Sequence, residues 1–147
     1  MSELRRFFEG AKKEFGMDRN HEDFEEITSI PVEFHNSCWH NNTSPSVSTK
    51  ERSLEDDIME VTVWIDPKDP EKREINSGKQ FILVVSCVNC QYVFMSDSWQ
   101  EIISMAPKAL LLMEDIDKYA KVYGHSEYDK AFEVCKEEAL RLGFIET

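Results

Sequence analysis

Apolar positions recur at helical spacing near the start of the chain. Leu4, Phe7, Phe8, Ala11 and Phe15 fall on one face of a helix that Ser2 opens and Gly16 ends. From residue 30 the period shortens to two. Ile30, Val32 and Phe34 alternate with Pro31, Glu33 and His35, which predicts a strand, and Pro31 assigns it to a sheet edge. A second strand is expected over Val47–Leu54. Across Ile58–Asp66 the residues Val61, Val63 and Ile65 line one face, while Glu60, Thr62 and Trp64 line a wetter one. Phe81–Cys87 is the most apolar run and is expected at the centre of a sheet. Gln91–Met95 follows it through the turn Cys87-Val88-Asn89-Cys90.

After Ser96 the helical period returns. Asp97 or Ser98 caps a short helix through Met105. Pro107 then sits in the first turn of another helix, where proline is tolerated. That helix buries Ala109, Leu112, Met113, Ile116, Ala120 and Tyr123, and Gly124 ends it. Ser126, with Asp129 three residues on, predicts the cap of a last helix, whose inner face is Tyr128, Phe132, Cys135, Ala139 and Leu142. A helix, a run of strands and a run of helices imply an α+β fold. The expected form is an antiparallel sheet of four to five strands, with an N-terminal helix and two to three C-terminal helices packed on one face. The length of 147 residues fits one domain spanning 1–147.

Charge narrows the partners. Asp and Glu total 29 against 17 Lys and Arg, a formal net charge of -12. Such a chain repels nucleic-acid phosphate and anionic membranes and is attracted to basic protein surfaces. No apolar run approaches the roughly 18 residues that would span a membrane, and the mixed charges of the first residues do not read as a secretory signal. Reduced thiols and a cytoplasmic location are the expectation.

Two stretches are nearly free of charge, Thr28–Ser48 and Gln80–Ser96, and they hold three of the four cysteines. Cys38 and His40 from the first, with Cys87 and Cys90 from the second, would make a tetrahedral zinc site of three sulfurs and one nitrogen. Against it, Gln91 stands where the usual knuckle has glycine. The plain alternative is two core thiols flanking a turn. A redox C-x-x-C would need a helix start after it, whereas QYVFM favours a strand. Cys38 as a nucleophile is disfavoured because His40 to Pro45 does not continue a helix. Deaminase, phosphate-loop and dinucleotide fingerprints are absent.

The polar loop from His35 to Ser46 suggests recognition instead, with Trp39 as an anchor and Asn41 and Asn42 as directional contacts. Trp64 would extend that patch, and Asp56 and Asp57 would add charge beside it. The leading expectation is therefore a small acidic protein without catalysis or cofactor. It would bind a basic partner, as an inhibitor of a nucleic-acid-processing enzyme does, of the kind that phages and mobile elements encode. A zinc-binding protein is the competing class. Self-association through the edge strand at Pro31 is left open.

Overall fold

Alternation along Ile58–Ile65 builds the sheet. The computed structural model describes residues 34–36, 46–66, 69, 71 and 78–146, and the expected N-terminal helix and the residues Cys38, Trp39, His40, Asn41 and Asn42 lie outside these. Among the described residues there are strands β1 (His35–Asn36), β2 (Ser46–Ser48), β3 (Arg52–Ser53), β4 (Ile58–Ile65), β5 (Phe81–Ser86), β6 (Gln91–Ser96) and β7 (Ile145–Glu146). The helices are α1 (Trp99–Val122), α2 (Asp129–Val134) and α3 (Lys136–Leu142). The strand order is β1-β2-β4-β5-β6-β7, with β3 pairing β4 off that path, and each pairing is antiparallel. The fold is α+β. β5 is buried along nearly its whole length, as its run of apolar residues demands.

The face of the sheet carrying Val61, Val63, Ile65, Phe81, Leu83, Val85 and Tyr92 joins α1 in one core cluster. Ile102, Ala109, Leu112, Met113 and Ile116 supply the helix side. Trp99 packs edge-on against Phe81 with ring centroids 5.2 Å apart. Burying each large aliphatic side chain here contributes about 1.5–3 kcal/mol. On the opposite face Ile82, Val84 and Val93 form a second cluster, against which Trp64 and Met95 pack.

Four expectations change. The Val47–Leu54 strand is broken into β2 and β3 at Thr49. There the side-chain hydroxyl accepts from Val61 N–H at 3.1 Å, replacing a ladder bond. The two helices expected either side of Pro107 are one helix of 24 residues with Pro107 inside it. The buried face runs unbroken through Ile102, Met105, Ala106, Ala109, Leu112 and Met113, and its burial outweighs the lost backbone bond. The last helix is two, α2 and α3, divided at Cys135. Ser126 does not cap it. The residue before α2 is Tyr128, and the Ser126 carbonyl instead accepts from Asp56 N–H at 2.9 Å. Ser98 does cap α1, accepting from Glu101 N–H. Gly143 closes α3 at φ 108, a left-handed backbone that glycine adopts without strain.

Candidate metal centre

β5 and β6 end their pairing at Ser86 and Gln91, so the four residues between them form a tight turn at the tip of the hairpin. Cys87 N–H donates to the Cys90 carbonyl at 2.9 Å and closes that turn. The backbone N–H groups of Asn89 and Cys90 also point at the Cys87 sulfur, and the two cysteine side chains are hydrogen-bonded to each other. N–H donors aimed at sulfur favour its thiolate form, which is the metal-binding form.

The third donor comes from a distant part of the chain. Asp129 opens α2 directly beside the thiol turn. Its Oδ2 accepts from Asn89 Nδ2 at 3.3 Å. Its Oδ1 is buried and has no hydrogen-bond partner. One ligand atom each from Cys87, Cys90 and Asp129 lie within 4.8 Å of one another, and all three residues are half-buried. In a tetrahedral zinc site, sulfurs about 2.3 Å from the metal stand roughly 3.8 Å apart, so the three donors need close only slightly.

The local field favours a cation. Burial pushes the Cys87 thiol up to about 12, opposed by the two N–H donors and assisted by the Asp57 charge. The Cys90 thiol is raised too, by burial first and then by Asp129, Asp57 and Glu146. In the metal-free protein both sulfurs therefore hold their protons at neutral pH. A divalent cation would displace those protons and offset the carboxylates. Cys135 is buried and outside this donor group, and burial pushes its thiol up to about 11, which leaves it inert.

The residues singled out from sequence separate here. Cys87 and Cys90 are brought together. Cys38 and His40 lie outside the described residues, as do Trp39, Asn41 and Asn42. Asp56 is exposed, as a surface acid should be. Asp57, expected beside it as a binding acid, is not available to a partner: it is buried, and both oxygens are occupied by backbone N–H groups of Ile58, Val88 and Tyr128. Trp64 is half-buried and packs against the second apolar cluster. Asp129 was legible only as a helix-capping acid, because its carboxylate meets the thiol turn across 40 residues of sequence.

Comparison with known proteins finds no matching family model, no matching curated protein and no matching solved structure. No helix among the described residues is long and apolar enough to cross a membrane.

Proposed function

We propose that this protein binds a thiophilic divalent cation, zinc by the chemistry of its donors, at Cys87, Cys90 and Asp129. The observation that carries the reading is the buried Asp129 oxygen without a hydrogen-bond partner, set beside two converging sulfurs. A buried, unsatisfied carboxylate oxygen costs the fold about 1–3 kcal/mol or more, and a cation removes that cost. Two thiolates and a carboxylate suit zinc better than magnesium or calcium, which take oxygen donors.

The test is metal analysis of protein purified without chelator, followed by titration with cobalt or cadmium. One equivalent should bind, and Cys87→Ser or Cys90→Ser should abolish or strongly weaken uptake. Less than about a tenth of an equivalent of zinc, with no uptake of cobalt or cadmium, overturns the reading, because thiolate sites hold these metals tightly.

A second reading keeps the acidic surface as a docking face for a basic protein in the cytoplasm. The exposed acids Glu55, Asp56, Glu127, Glu133 and Glu137 support it. Its test is affinity for a candidate partner across a salt series. Charge-steered binding weakens with added salt, and affinity unchanged between low and high salt discards it.

A further inference from the structure

Asp57, at the head of β4, is only 5% exposed. Its Oδ1 accepts from Ile58 N–H at 2.9 Å and from Val88 N–H at 3.0 Å. Its Oδ2 accepts from Tyr128 N–H at 2.9 Å. Val88 follows Cys87, and Tyr128 precedes Asp129. The main chain repeats the α2 half of the connection, with Asp56 N–H donating to the Ser126 carbonyl at 2.9 Å. One buried carboxylate thus ties the thiol turn to the start of α2, the two elements between which the donors are divided.

Resting on the metal reading above, we propose that Asp57 is the positioning residue of the metal centre. It fixes the spacing between the Cys87 and Cys90 sulfurs and the Asp129 carboxylate, and it adds a fixed negative charge beside the bound cation. Only a carboxylate meets this need. Three N–H donors require acceptors on both oxygens, and an asparagine would turn its own N–H groups toward one of them. Asn89 supplies the side-chain half of the same hold. By donating to Asp129 Oδ2 it leaves Oδ1 for the metal. Partners that orient metal ligands in this way typically control about 10–100-fold in metal affinity.

Cadmium is the probe, because its charge-transfer absorption reports the sulfurs bound. Wild type, D57N, D56N and N89A are titrated at a temperature where each is folded by its own melting curve. D57N should bind cadmium about 10–100-fold more weakly. Its absorption at saturation should match wild type, since both sulfurs still bind. D56N should stay within about twofold and N89A should weaken by several-fold, smaller than D57N because one long, exposed hydrogen bond is lost rather than a buried charge and the acceptor on one side of the hold. Folded D57N with wild-type affinity overturns the proposal. A role in the fold alone would lower the D57N melting temperature and leave the affinity of the folded protein unmoved. If D57N does not fold, N89A decides, because its side chain is exposed. Wild-type affinity in N89A then overturns the proposal. A wild-type protein that takes up no cadmium fails the metal reading itself, before any variant is compared.

Discussion

Replacing Asp129 with alanine should separate metal binding from stability, in opposite directions. In the metal-free protein the buried Oδ1 of Asp129 has no partner, and an unsatisfied buried acceptor costs about 1–3 kcal/mol. Asp129→Ala removes that cost. It also removes the hydrogen bond from Asn89, an exposed and long one at 3.3 Å, worth about 0.5 kcal/mol. An acid in the first turn of α2 is lost as well, at about 0.3–1 kcal/mol. The balance leaves the variant level with wild type or ahead by up to about 2 kcal/mol, a rise of several degrees in Tm at this chain length. With zinc present the order reverses. Wild type gains about 2.7 kcal/mol at one hundred times the dissociation constant, and a variant short of one ligand gains less. Calorimetric melts of both proteins, with chelator and with zinc, read all four states. A metal-free variant less stable than wild type by more than about 1.5 kcal/mol refutes the reasoning, because Asp129 would then be satisfied without metal.

Pro107 is exposed inside α1, so Pro107→Ala should stabilise the protein by about 1–3 kcal/mol in urea unfolding; no gain would mean that the helix is not continuous there. Tyr128 donates to buried Asp117 at 2.6 Å, and Asp117 also accepts from Lys121 at 2.9 Å, so Tyr128→Phe should cost about 1.5–3 kcal/mol, checked the same way. Burial raises the folded thiols of Cys87 and Cys135 from 9.0 to about 12 and about 11, and the Tyr92 hydroxyl from 10.0 to about 12. The folded state holds these protons more tightly than the unfolded one. That stabilisation is complete below the unfolded values and is lost as pH rises through about 11 to 12, so melts of the metal-free protein should fall steadily above about pH 9. Cys38→Ser should leave cadmium stoichiometry and absorption unchanged. Asn36, two residues before Cys38, pairs with Val47 at the level of Val63 and Leu83, and β1 runs away from the thiol turn.

What the sequence revealed and what it hid follow from the range of the forces involved. β4, β5 and β6 were legible within a residue because alternation and apolar runs are local consequences of a two-sided sheet. α1 was legible in its buried face as far as Ala120, but Tyr123, expected inside, is 65% exposed past the helix end, and the length was misread. Pro107 is a strong local breaker, and the contrary force is burial of Ile102, Met105 and Ala106 against the sheet, which no local pattern measures. Thr49 broke a strand by lending its hydroxyl to Val61, a contact set by tertiary packing. At the site the two sulfurs share a turn and announce themselves by spacing. Asp129 joins them only because α2 starts against the hairpin tip. Asp57 shows the sharper limit. In the run Leu54-Glu55-Asp56-Asp57 it reads as one more surface acid, yet Asp56 stays in solvent while Asp57 is drawn in to satisfy three backbone N–H groups.

Sequence alone set the acidity of the chain against its thiols, as marks of two rival functions. The structure joins them at one place. Asp57, Asp129 and Glu146 all act on Cys90, and each raises its thiol. Burial first, and then the negative charge packed around the two sulfurs, keeps them protonated and unreactive while no cation is present. On the metal reading the same charge would draw a cation in, because binding would relieve carboxylate repulsion as it ionised the sulfurs. Asp57 and Asp129 are therefore poorly explained as solubility groups or as a docking face. Asp57 is buried, Asp129 is half-buried with an oxygen unpaired, and Glu146 is ion-paired to Lys136 at 3.1 Å. Asp57 and Asp129 are not free to meet a protein partner, whereas Glu146 stands exposed. If the acidic exterior docks one, it does so with other residues, and mutations at the thiol turn and at that exterior should act independently.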